Sequence, residues 1–277
     1  MTVAFKSKEG KEEVLKYYDF LLTKGSLPHE KIMVNTSYGE TFIIAMGKEE
    51  LPPLILLHGS GMNSAMWIQE MEEYSQTHRV YAVDMPGEPG KSDETQLPFK
   101  GDDFANWLND VFNALSVKKA SIIGISLGAW LGTKFAIKYS QKVDKLILLC
   151  PAGIGPQKKS FILKFLFYSL LGEKGIDKLY YKINGDKLID EIMLNYQKLI
   201  AKHFNFRTEN IPLFSDDELR KLTMPVSLFV GGKDVMLHSE KTAKRLGSLL
   251  SHAEINLIPE EGHSIVNQGN EIREFLN

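Results

Sequence analysis

The sequence predicts an α/β fold: a mostly parallel sheet with helices on both faces. Two observations carry this reading. Short continuous apolar runs recur along the chain, and helical patterns lie between most of them. An apolar run of about five residues without polar alternation marks a strand covered on both faces. Strands that alternate with helices stack in parallel through right-handed crossovers. A length of 277 residues suits one α/β unit, large enough to bury its core without disulfides or metals.

The elements follow in order. Glu12 to Thr23 predicts a helix, with Val14, Leu15, Tyr18, Leu21 and Leu22 on one stripe. Lys31 to Asn35 and Thr41 to Ala45 predict strands joined near Tyr38-Gly39 as a hairpin. Pro53 to Leu57, Val80 to Val83, Ser121 to Ile125, Leu146 to Leu149, Val226 to Val230 and Ile255 to Ile258 predict buried strands. Helices are predicted over Ser64 to Ser75, Asp102 to Leu115, Leu127 to Tyr139 and Glu240 to Leu250.

The interval from Pro151 to Met224 breaks the rhythm and predicts no buried strand. Ser160 to Leu171 and Leu188 to His203 read as helices, with Gly172, Gly175 and Gly185 between them. A helical insertion over one end of the sheet is expected here. The chain then divides into residues 1–150 and 225–277, two parts of one core, and the inserted 151–224. Phe161 to Leu171 is apolar nearly all round a helix, with Lys164 as the interruption. Such a helix is expected to be buried or to roof an apolar pocket.

Composition excludes several classes. Thirty-three basic residues against 35 acidic give a net charge of −2, so no basic excess exists to neutralise a nucleic-acid backbone. The one cysteine, Cys150, cannot form an intrachain disulfide and reads as buried filler. Met1 to Lys16 mixes lysine and glutamate and lacks the apolar stretch of a signal peptide. The run from Phe161 is too short to span a bilayer. A cytoplasmic protein, monomer or homodimer, without cofactor or metal, is expected. The acidic residues Asp102-Asp103 and Asp216-Asp217-Glu218 suit helix N-termini.

Three segments carry chemistry. Gly124-Ile125-Ser126-Leu127-Gly128 closes a predicted strand and opens a predicted helix. In that context G-x-S-x-G is a tight turn that lifts a serine hydroxyl above the sheet, and its glycines let strand and helix approach closely. Ser126 is the expected nucleophile, and the Leu127 N–H, at a helix start, is placed to face an anion. A serine needs a base. His263, in Glu261-Gly262-His263-Ser264 after the last strand, is the expected one, whereas His29, His78, His203 and His252 read as surface residues. The base needs a carboxylate to fix its tautomer. Asp234 ends Val230-Gly231-Gly232-Lys233-Asp234, directly after a strand. An oxyanion hole is expected from Leu127 and the loop His58-Gly59-Ser60-Gly61, with the N–H of Ser60 or Gly61 as the second donor and His58 as a brace. Gly61, Met62, Trp67 and Phe165 are expected to line a substrate pocket, with helix core the alternative for Met62 and Trp67.

Together with Asp84-Met85-Pro86-Gly87, Gly90 and Ser92-Asp93, these segments resemble the α/β-hydrolase superfamily, in its serine-nucleophile, capped, carboxylesterase-like form. The resemblance runs from about residue 53 to the end and leaves the first helix outside it. It implies an eight-stranded sheet, a helical cap between strands six and seven, and a triad of Ser126, Asp234 and His263. It further implies hydrolysis of an ester or related acyl bond, with a small to medium, mostly apolar substrate expected. A carbon–carbon bond hydrolase and a triad-bearing ligand receptor are the alternatives. Serine at the elbow sets the chain apart from dehalogenases and epoxide hydrolases, which carry aspartate there. Gly90-Lys91-Ser92 matches the end of a phosphate loop, but Met85 stands where that motif needs glycine.

Overall fold

Apolar β-branched and leucine-rich runs pair into one eight-stranded sheet of order β1-β2-β4-β3-β5-β6-β7-β8 in the computed structural model. The structure describes residues 4–207, 209–265 and 268–277, and the side chains of Ile162, Phe165, Leu166 and Ser169 lie outside the described set. The strands are β1 (Glu30–Thr36), β2 (Gly39–Met46), β3 (Pro53–Leu57), β4 (Arg79–Val83), β5 (Ala120–Ile125), β6 (Val143–Leu149), β7 (Val226–Gly231) and β8 (Glu254–Ile258). Strand β2 runs antiparallel to both of its neighbours, β1 and β4, and β3 to β8 are mutually parallel.

Helices cover both faces. One side carries α3 (Asp103–Ala114), α4 (Leu127–Lys138), α8 (Asp216–Leu219) and α9 (Ser239–Leu249). The other carries α1 (Lys8–Leu22), α2 (Ile68–Tyr74), α7 (Glu191–His203) and α10 (Gly269–Leu276). The pleat explains the uninterrupted apolar runs. Ile55 and Leu57 of β3 point into the first layer, Leu54 and Leu56 into the second, and β6 repeats this with Leu146 and Leu148 against Ile147 and Leu149. Strand β8 departs from expectation. It pairs with β7 alone, and as an edge strand it leaves Leu257 exposed where burial on both faces was predicted.

Between β6 and β7 lie α5 (Ser160–Leu170), α6 (Gly172–Ile183), α7 and α8. The sequence reading missed α6, because Gly172 and Gly175 resemble punctuation. Gly175 is instead buried inside the helix, where a Cβ would collide with the Tyr168 carbonyl, so glycine is what lets α5 and α6 approach. The expectation for α5 also needs correction. Leu163, Phe167 and Leu170 are exposed, not buried, and Leu171 beside them is exposed as well.

The first helix has a definite seat. Tyr17 donates from its hydroxyl to the Ile192 carbonyl at 2.9 Å and stacks on Tyr196 at 5.1 Å. Ahead of it, Phe5 bridges to Phe204 in antiparallel fashion, and the Lys6 N–H reaches the His203 carbonyl at 2.8 Å. Two histidines expected at the surface are drawn inward. His78 is buried behind β4, and His203 packs against Gly10 of α1.

Candidate active site

Strand β5 ends at Ile125 and α4 begins at Leu127, so Ser126 is the whole of the turn. Its backbone is forced to φ 53° and ψ −107°, a region costly for a residue with a Cβ. Three hydrogen bonds hold it there: the Ser126 N–H donates to the Leu149 carbonyl, and the Ser126 carbonyl accepts from Trp130 and Ala152. The flanking glycines are required by close approach. A Cβ on Gly124 would strike the Gly128 backbone, and one on Gly128 would strike the Leu57 carbonyl of β3. The result lifts Oγ clear at the carboxyl end of the sheet.

The loops after β7 and β8 bring two further side chains to that rim. His263 Nε2 lies 3.0 Å from Ser126 Oγ, and His263 Nδ1 lies 2.8 Å from Asp234 Oδ2. The other Asp234 oxygen, Oδ1, accepts N–H bonds from Met236 at 2.6 Å and Leu237 at 2.9 Å. Burial alone would raise the Asp234 carboxyl, but the His263 ring and these N–H donors outweigh it and hold the group below its ordinary range. An ionised Asp234 accepts from Nδ1–H, which leaves Nε2 free to take a proton. The three sequence-expected side chains therefore meet. Cys150 is buried, as expected, yet it sits against this group, within 4.8 Å of Asp234 and His263 ligand atoms. Burial, followed by the Asp234 charge, pushes its thiol well up, so it stays protonated.

The loop after β3 supplies backbone donors. His58 is fully buried, accepts the Met85 N–H at Nε2 (2.9 Å), and so places its own proton on Nδ1 toward the Gly59 carbonyl (2.9 Å). Burial lowers its basicity, which keeps this brace neutral. Met62 N–H bonds to the Gly59 carbonyl, and Gly61 N–H to Glu88 Oε2 at 2.7 Å. Among the described residues the Ser60 and Leu127 N–H groups donate to nothing. Asp84, a motif residue without a chemical assignment, is a buried clamp. Its carboxylate accepts from the Tyr18 hydroxyl, Ser64 N–H and Lys91 N–H, and so ties α1 to two site loops.

Sequence reasoning missed Glu88, Phe206 and Arg207. No local spacing links them, since 118 and 119 positions separate Phe206 and Arg207 from Glu88. The Phe206 ring covers Gly61, where a Cβ would collide with it. Arg207 Nε stands 3.8 Å from Glu88 Oε1, its Nη1 donates to the Leu97 carbonyl, and its guanidinium lies over Phe99 at 4.8 Å. Of the expected pocket residues, Trp67 is buried in the second apolar layer and Met62 is partly buried against it. Gly61 lies beneath Phe206, and the Phe165 side chain falls outside the described residues.

Glu88 predicts a pH effect. Burial, the largest influence, raises its carboxyl from 4.5 to about 7, against the opposing pull of the Gly61 N–H and Arg207. A raised carboxyl holds its proton in the folded state after the unfolded chain has released it. Its contribution to stability is therefore complete below pH 4.5 and lost as pH rises to about 7. The loss amounts to about 3 kcal/mol. Urea denaturation at pH 5 and pH 8 is expected to show this fall in the wild type and to show it removed in Glu88→Gln. Equal pH dependence in both proteins would contradict the assignment.

Comparison with known proteins bears on the family and the fold. Residues 52–170 match the family described as alpha/beta hydrolase fold. Carboxylesterase YbfK of Bacillus subtilis is 30% identical over 254 residues, covering 89% of this chain and 86% of the relative. The crystal structure of naproxen esterase (carboxylesterase NP) from Bacillus subtilis superimposes with a TM-score of 0.88 at 26% identity, covering 98% of this chain and 100% of that one. A 2-hydroxy-6-oxo-6-(2'-aminophenyl)hexa-2,4-dienoic acid hydrolase of Metapseudomonas resinovorans is 27% identical, covering 83% of each chain.

Proposed function

Since the chain belongs to the alpha/beta hydrolase family and is a serine hydrolase acting on ester bonds, we propose that Ser126 is its nucleophile, His263 its general base and Asp234 the orienting carboxylate. The observation that carries this is the single imidazole bridging Ser126 Oγ at 3.0 Å and Asp234 at 2.8 Å. His263 Nε2 takes the hydroxyl proton as Oγ attacks the ester carbonyl. The carbonyl oxygen, now an anion, is received by the N–H groups of Ser60 and Leu127, and the dipole of α4 adds to them. The tetrahedral intermediate collapses when His263 returns the proton to the departing alcohol. Water, deprotonated by the same nitrogen, then attacks the acyl–Ser126 ester and releases the acid.

Residues 151–224 act as the cap, with Phe206 seated over the oxyanion loop. The substrate class follows from what faces the loop. Phe206 offers an aromatic ring, Met62 a partly buried thioether, and the nearby polar groups of Glu88 and Arg207 face one another. A small to medium, mostly apolar acyl group fits that lining. The test is a panel of nitrophenyl esters from acetate to dodecanoate beside a vinylogous diketone. Highest kcat/KM is expected among the short and middle chains, with negligible carbon–carbon cleavage. Preferential turnover of the diketone, or uniformly slow turnover with tight retention of ligand, would overturn the assignment.

A further inference from the structure

The exposed stripe on α5 lies beside a concentration of positive charge. At 100° per residue, Leu163, Phe167 and Leu170 fall within about 60° of arc on one helix face. They are 71%, 59% and 87% exposed, and Leu171 extends the patch at 50%. Isolated exposed leucines are ordinary, but three large apolar side chains on one face, with Leu171 beside them, form a surface that water does not favour. At the foot of the same helix, a groove of about 670 Å³ is lined by Lys158, Lys159, Lys164, His238 and Lys241. From Pro151 to Leu171 the chain has three lysines and no acidic residue.

We infer that this face of α5, with its lysine-lined groove, docks the protein onto a bilayer surface containing anionic phospholipid. The two features answer two parts of one partner. Leucine and phenylalanine enter the boundary between headgroups and acyl chains, and the lysines meet phosphate groups just above it. A second copy of the chain fits poorly. It would cover the apolar stripe, but residues 151–171 of that copy bring no acidic side chain to the lysine-lined groove. A small anion would account for the groove but leave the apolar stripe uncovered. Helix α5 follows β6, so the docked face lies at the carboxyl end of the sheet, the end that carries Ser126.

The test is flotation of the full-length protein with vesicles of phosphatidylcholine alone or with about one third phosphatidylglycerol, at about 0.1 M and 0.5 M salt. Binding is expected to the anionic vesicles only, falling severalfold at the higher salt. The double variant Phe167→Ser/Leu170→Ser and the triple variant Lys159→Glu/Lys164→Glu/Lys241→Glu are each expected to lose at least about tenfold in vesicle partition. Both should hydrolyse a soluble nitrophenyl ester within about twofold of wild type, which separates lost docking from lost folding. Wild-type protein that ignores anionic vesicles, or binds neutral ones equally, overturns the inference. So does an apolar-face variant that still floats. A dimer seen by light scattering and dissociated by the Phe167/Leu170 change would assign the face to a second copy and overturn it too.

Discussion

Ser126→Ala is expected to lower kcat toward a short nitrophenyl ester by about 10⁴- to 10⁶-fold. The substitution removes one oxygen, whose hydrogen-bond partner in the folded protein is His263 Nε2. It keeps the Cβ, so the backbone at φ 53° is no more strained in the variant than in the parent. The three bonds that fix the turn run through backbone atoms and also survive. Melting is therefore expected to move by no more than a few degrees. Active-site titration with a fluorophosphonate should label the wild type once per chain and the variant not at all. Residual turnover within about tenfold of wild type would place the nucleophile elsewhere.

Asp234→Asn carries the second large effect, and its cause is a reversed proton. Oδ1 is committed to the N–H groups of Met236 and Leu237, so the side-chain oxygen of asparagine must occupy that position. The amide nitrogen then faces His263 Nδ1, 2.8 Å away in the parent, and donates to it. The imidazole responds with its proton on Nε2, the nitrogen that should receive the Ser126 proton. A fall in kcat of about 10³- to 10⁴-fold is expected with little change in KM, because substrate binding does not use this carboxylate. Steady-state kinetics on the same ester decide the matter. A near-normal kcat in the asparagine variant would mean that Asp234 does not set the tautomer.

Much of the site could be read from the chain because each triad residue sits just beyond a strand. Strands announce themselves as apolar runs, and the glycines around Ser126, Asp234 and His263 mark the turns that follow. The chemistry was thus attached to the best-resolved feature of the sequence. The misses share the opposite property. Glu88 and Arg207 meet only after folding, so neither residue's neighbours announce the pair. Gly175 reads as a helix breaker until its contact with Tyr168 shows why a helix needs it. Apolar residues all round α5 predicted burial or a place over an apolar pocket, yet composition cannot say which face is left to solvent, as Leu163, Phe167 and Leu170 are. His78 was misjudged for the same reason, since burial depends on partners distant in sequence.

The seat of α1 has a consequence for biogenesis. Tyr17 finds its carbonyl partner 175 residues later, and Lys6 reaches Ala201 after 195. While a ribosome is still making the strands of the sheet, Tyr18 can already meet Phe42 and Asp84, but Tyr17 has neither Tyr196 to stack on nor the Ile192 carbonyl for its hydroxyl. It locks only after Glu191–His203 has emerged. The seat of the first helix is therefore completed by a late, long-range closure.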